Sequence, residues 1–151
     1  MKITRWSPTE ARERMPEAMA VYAEAMGYPA EAGQHRAGFA LAHTRRPAFR
    51  AVAALAPGLA ERWLRGAFEL SELHVRPAYQ GRGAGRALLR TLVDRLEQPA
   101  VLLSTPEGDT RAWRLYRSLG FTDLLRHHLF PGDARPFAVL GVRLPLVAAR
   151  A

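Results

Sequence analysis

The chain has 151 residues, a formal charge of +8 and no cysteine. Its length suits one domain, 1–151, with a core that needs no staples, and the missing cysteine excludes disulfides, thiolate metal sites and a cysteine nucleophile. Met1 to Arg14 lacks the apolar core of a signal peptide and no apolar run approaches the roughly 18 residues of a membrane span, so a cytoplasmic protein without a membrane partner is expected. Lys2 is the only lysine, and the arginines are spread along the whole chain. That spread argues against a nucleic-acid-binding module, which gathers its charge on one patch or stripe.

In chain order, Lys2 to Trp6 reads as a short strand. Ser7-Pro8-Thr9-Glu10 is a helix start, with a capping hydroxyl and a proline suited to the first turn. Met15, Ala18, Met19, Tyr22 and Met26 follow at spacings of three and four, an apolar helical stripe that Gly27 and Pro29 stop. Ala30 to His43 reads as a second helix and Phe49 to Leu55 as a strand. Pro57-Gly58 is a turn, and Leu59 to Arg65 one or two helical turns. Phe68 to Val75 is a strand ended by Pro77. Gly83 to Glu97 is a helix with Leu88, Leu89, Leu92, Val93 and Leu96 on one face, broken by Pro99. Ala100 to Ser104 is a short strand buried on both faces. Asp109 or Thr110 opens a helix with Ala112, Leu115, Tyr116 and Leu119 inward, and Gly120 caps its end. Phe121 to Phe130 and Phe137 to Leu144 are the last strands, joined by a turn at Pro131-Gly132-Asp133. The order of these elements implies a layered α/β (α+β) domain with a mixed sheet.

The stretch Gln80-Gly81-Arg82-Gly83-Ala84-Gly85 joins a strand to a helix with almost no side chains. The first turn of a helix offers unpaired N–H groups and the positive end of its dipole. Glycines let a phosphate approach those amides with no Cβ in the way, and Arg82 and Arg86 add charge at the rim. The expected ligand is therefore a phosphate or pyrophosphate, unless the glycines serve only a tight turn. It is not a P-loop, since Arg86 and Ala87 stand where Lys and Ser or Thr are needed. It is not the dinucleotide fingerprint, which needs glycine at the position of Arg86.

ELHVRPAYQGRGAGRALL resembles the acetyl-CoA-binding motif of the GCN5-related N-acetyltransferases (GNAT), in which a strand ending near V-x-P leads to Q/R-x-x-G-x-G/A and then a helix. DTRAWRLYRSLGF, with Ala112, Tyr116, Gly120 and Phe121, resembles a second motif of that family at the usual distance. The likeness is strong from about Phe68 to Leu144 and less specific over Met1 to Gly27. It implies a GNAT-like mixed, splayed central sheet with flanking helices. It also implies that the pantetheine arm of acetyl-CoA lies between the strands at Phe68–Val75 and Ala100–Ser104. Backbone groups near Leu73 and Val75 would meet the pantetheine amides, His74 would stand beside the cofactor rather than act as a base, and Gln80, Gly81, Arg82, Gly83, Ala84, Gly85 and Arg86 would form the pyrophosphate loop. One departure stands out. Only about a dozen residues separate the strand read at Phe49 from that at Phe68, where the family has another full strand. Either a strand is missing, or Phe39–Thr44 and Phe49–Leu55 form a hairpin.

The implied reaction is direct attack of a primary amine, of a small molecule or peptide, on the acetyl thioester. A backbone N–H near Val75 would hold the oxyanion. Glu69, eleven residues before Gln80, and Glu72 are the candidate bases, on opposite faces of the strand if alternation is regular. Tyr116 occupies the position of the family's general acid. Ser71 and Ser104 would act only with a base beside them. His127 and His128 are adjacent and cannot jointly hold a metal from a regular strand. Trp63 and Trp113 read as packing residues. The alternative to an enzyme is a catalytically impaired acyl-CoA-binding domain of the same fold. The resemblance also leaves a homodimer open.

Overall fold

The computed structural model describes residues 2–27, 38–42 and 47–146. They fall into two compact units, one built from 1–41 with 72–92 and the other from 42–71 with 93–151.

The first unit opens without the expected strand. Lys2 to Trp6 has no regular structure, and the Arg14 guanidinium lies over the Trp6 ring. Helix α1 (Pro8–Glu13) starts on a full capping box, as read: the Ser7 hydroxyl accepts from Glu10 N–H and the Glu10 carboxylate accepts from Ser7 N–H. These bonds hold the Glu10 carboxyl below its ordinary pKa. Helix α2 (Met15–Ala25) is a separate element. Pro16 carries no N–H to continue the helix of α1, so the single helix read through this stretch is broken at Arg14. The apolar stripe read here is buried at Ala18 but not at its methionines. Ala18 and Val21 are buried, while Met15, Met19 and Met26 are 40%, 51% and 40% exposed. Nearly every side chain of α2 is apolar, so spacing alone could not say which face is covered.

Strand β1 (Gly38–Ala42) lies where a helix over Ala30 to His43 was expected, the rest of which falls outside the described residues. In this unit β1 neighbours the continuing half of strand β2 (Phe68–Val75). A short 3₁₀ turn (Pro77–Tyr79) and the glycine loop then lead to helix α5 (Ala84–Val93). Its buried contacts come from Ala84, Leu89 and Val93. It stops a turn earlier than read, with Leu96 N–H bonded to the Val93 carbonyl.

The second unit begins with two helices, α3 (Pro47–Leu55) and α4 (Pro57–Trp63), each with proline in its first turn. The strand read at Phe49–Leu55 is therefore a helix, and the hairpin with Phe39–Thr44 does not form. Ala48, Ala51 and Val52 recur at helical spacing, and all three are buried. Helices thus occupy the stretch where the likeness leads one to expect another strand.

The sheet of this unit runs β2-β3-β5-β4, with β3 at Ala100–Pro106, β4 at Thr122–His128 and β5 at Phe137–Arg143. It is mixed. Strands β2 and β3 are parallel, paired at Phe68↔Val101 and Glu69↔Leu102, while β3–β5 and β5–β4 are antiparallel. One face carries Ala100, Leu102, Val139 and Leu124 against α3 and α4. Gly141 is bare on that face because a Cβ there would lie 2.8 Å from Leu124 and 2.9 Å from the Trp63 ring. Val101, Leu103 and Leu140 are buried as well, so β3 is covered on both faces, as its apolar run predicts. Helix α6 (Arg111–Ser118) completes the unit. Among the described residues no helix is long and apolar enough to cross a membrane.

Candidate active site

In the first unit the end of β2 is tied down by side chains. Glu72 and His74 lie two residues apart on the strand, so they share a face. His74 Nε2 is 2.5 Å from a Glu72 carboxylate oxygen, with the histidine side chain 14% exposed and the glutamate 41%. The edge of the His74 ring meets Tyr22 of α2 at 4.9 Å between centroids. One step along, Arg76 pairs with Glu24 of α2 at 3.2 Å. Alternation in the sequence placed Glu72 and His74 on one side. Their pairing, and the arrival of Tyr22 and Glu24 beside them, came only with the fold of α2.

The loop itself is held by Gln80, whose amide donates to the Val75 carbonyl at 2.8 Å. Gly81 and Gly83 have φ of +72° and +81°, which L side chains rarely adopt. A Cβ at either position would meet no protein atom within 4 Å. The bare backbone here makes room for no other group among the described residues. Helix α5 opens at the next residue, Ala84, so the amides of its first turn, Gly85 and Arg86 among them, lie beyond the intrahelical ladder. Arg82 is exposed and Arg86 half-buried beside them.

The other candidates lie in the second unit. Glu69 is 4% exposed, and its carboxylate accepts from the Ala48 N–H at 3.0 Å. Ala48 is the second residue of α3, so Glu69 caps the positive end of that helix. Tyr116 is fixed by a Schellman motif closing α6: Gly120 N–H bonds to the Arg117 carbonyl and Phe121 N–H to that of Tyr116. Gly120 takes the left-handed conformation at φ +86°, and the Phe121 ring packs on Tyr116 at 5.5 Å. The motif read as YRSLGF is thus a helix end that sets one tyrosine. Its other end is capped by the Thr110 hydroxyl, which accepts from Trp113 N–H. Ser71 Oγ is shut from solvent and has no hydrogen-bond partner among the described residues, so none of them engages it as a base.

The two histidines of β4 do not sit on a regular strand. His127 has φ 55°, and the ladder between Leu125 and His128 is bulged there. Its N–H and Nδ1 both reach Glu107, which Arg126 also grips with two nitrogens. The guanidinium of Arg126 and the His127 amide hold the Glu107 carboxyl at about 2. His128 instead meets the Phe130 ring. Trp63 packs in the core beneath the Arg143 guanidinium, and Trp113 has the guanidiniums of Arg117 and Arg126 near its ring.

A profile of the acetyltransferase (GNAT) family matches residues 2–121. A GCN5-like protein acetyltransferase of Mycobacterium tuberculosis is 36% identical, over 92% of this chain and 96% of that protein. That alignment spans 197 positions, so the relative carries segments this 151-residue chain lacks. The ribosomal protein bS18-alanine N-acetyltransferase of Escherichia coli is 38% identical over 82 residues, 51% of this chain and 55% of that one. The crystal structure of the ribosomal-protein-S18-alanine N-acetyltransferase from Escherichia coli superposes with a TM-score of 0.62 over 99% of this chain and 97% of its own, at 18% identity. A strand, glycine loop and helix in the family's order, matched over most of the chain's length, make this protein a member of the GNAT acetyltransferase family, and so an acyltransferase.

Proposed function

We propose that this chain transfers an acetyl group from acetyl-CoA to a primary amine on a protein or peptide, acting as one domain in the cytoplasm. The observation that carries the cofactor half is the pair of left-handed glycines over open space, held by Gln80 at the start of α5. Amides of residues 81–85 would bind the pyrophosphate, with Arg82 and Arg86 at the rim. Leu73 and Val75 come after the ladder that joins β2 to β3 at Phe68 and Glu69, and their backbone groups would meet the pantetheine. The family match spans residues of both units, which supports a single domain. A protein or peptide acceptor is favoured over a small molecule by the relatives, named as a protein acetyltransferase and a ribosomal protein bS18-alanine N-acetyltransferase.

In this reading an amine, once deprotonated, attacks the thioester carbon, and the C–S bond breaks as the C–N bond forms. Tyr116 would return a proton to the thiolate, a role resting on its place in the second motif. Of the two glutamates, Glu72 is the one with an accessible carboxylate, while Glu69 is engaged with Ala48. The test is calorimetric titration with acetyl-CoA. Micromolar binding, about −8 kcal/mol, is expected to fall by roughly 100-fold in Gly83→Glu, because the new carboxylate repels phosphate where the loop must admit it. Binding followed by acetylation of peptides with a free α-amine supports the enzyme. Binding without turnover of any amine supports an acyl-CoA-binding domain, and the helices α3 and α4 in place of a strand would then be where to look for the lost acceptor pocket. No binding removes both.

A further inference from the structure

We infer that the exposed methionine face of α2 receives the acceptor peptide and selects acceptors whose residues next to the reactive amine are apolar and not acidic. The inference rests on the transferase reading above and adds to it the class of peptide. Met15, Met19 and Met26 are three of the six large apolar side chains that stand exposed among the described residues. Met19, Tyr22 and Met26 follow at spacings of three and four, so they share one face of the helix. Apolar side chains gathered on a water-facing surface mark a contact site. Methionine suits such a site, being unbranched and polarisable enough to fit varied partners. The patch adjoins the proposed cofactor site. Tyr22, in its middle, meets the His74 ring at 4.9 Å, and His74 stands between Leu73 and Val75, whose backbone groups would meet the pantetheine. Helix α2, His74 and the glycine loop all belong to the first unit. Met19 to Met26 spans about 10 Å along the helix axis, the length of about three extended residues. An acceptor with its amine at the end of β2 thus has room to lay its next residues on the methionines.

Charge selects the occupant. The chain carries +8, yet α2 is the one α-helix among the described residues with neither arginine nor lysine. Its charged residues are Glu17 and Glu24, and Glu24 stays 36% exposed while paired with Arg76. The guanidinium of Arg14, just before the helix, is turned onto Trp6. An apolar helix face that lies on an anionic membrane carries lysine and arginine on its flanks, and this one does not. A second copy docked face to face would bring glutamates toward glutamates. The amino end of a peptide brings a positive charge, and apolar residues after it fit the methionines. Acidic residues there would meet like charge.

The experiment measures kcat and KM with acetyl-CoA and short peptides that bear a free α-amine and differ only in carrying Leu, Ser or Asp at their second and third residues. Wild type is expected to favour the Leu peptide over the Ser peptide by about tenfold in kcat/KM, with the Asp peptide poorest. Met19→Gln and Met26→Gln are each expected to raise KM for the Leu peptide by about fivefold, with the loss in KM rather than kcat. Met19→Leu is expected to keep the preference. Acetyl-CoA affinity, measured on each variant, is expected to stay within about threefold of wild type, which shows that the loop is intact. Equal KM for the three peptides in wild type, or an undiminished Leu preference in both glutamine variants, overturns the inference while the transferase stands. Turnover of small amines but of no peptide does the same. So does a dimer, seen by sedimentation, that Met19→Gln dissociates, because copies of the chain would then cover this face. If wild type acetylates no amine at all, the transferase reading fails and takes the inference with it.

Discussion

The two units are built on different terms. In the second, the described strands are paired, the sheet carries buried side chains on both faces, and the buried Glu69 carboxylate accepts from the first turn of a helix. In the first, methionines of α2 stand exposed, a glycine loop turns over open space, and a carboxylate and an imidazole meet at a half-open strand end. Two glutamates three residues apart on β2 make the contrast sharp: Glu69 lies buried in one unit with its carboxylate on the Ala48 N–H, Glu72 in the other, 41% exposed and against His74. The lesson is that burial sorts two identical side chains into different surroundings, one enclosed and one half-open.

The largest test of that division is Leu102→Ala. Leu102 is fully buried beneath α3, so its loss leaves a cavity worth about 2–5 kcal/mol and lowers Tm by roughly 10 °C. One melting transition that shifts as a whole is the outcome expected of a single domain, whereas a second, unshifted transition would show that the two units melt separately. Next in size is the glutamate pair. Glu69→Ala leaves the buried Ala48 N–H without its acceptor and is expected to cost about 1–3 kcal/mol in chemical denaturation. Glu72→Ala is expected to stay within about 0.5 kcal/mol of wild type. Equal losses would show that both carboxylates are structural. The smallest effect is on acid stability. Glu107 has its folded carboxyl lowered to about 2 from an ordinary 4.5. It therefore contributes stability in full above the ordinary value, and that contribution is lost as pH falls toward about 2. Glu107→Gln is expected to flatten the acid-unfolding curve in that window and to leave neutral pH activity unchanged.

Much of the fold was legible in the sequence for local reasons. The capping box at Ser7, the Schellman glycine at Gly120 and the proline-bounded β2 are decided by residues within a few positions of each other. Where the reading failed, the segments were short. Ala48, Ala51 and Val52 stand at helical spacing in an alanine-rich run, a signal the strand reading passed over, and the fold adds their burial beside Leu102 and Val139. Of the stripe read on α2, Ala18 is covered together with Val21 beside it, while Met15 and Met19 stand exposed.

The sequence by itself determined the glycine loop, the tyrosine at the end of α6 and membership of an acetyltransferase family, because motifs of this kind are written in backbone torsions and spacing that neighbouring residues set. Only the tertiary structure decided which glutamate is enclosed, that His74 is held by Glu72 against Tyr22, and that helices α3 and α4 stand where a strand was expected. These are matters of burial and of contact between distant segments. They depend on what covers a side chain, and no local pattern carries that.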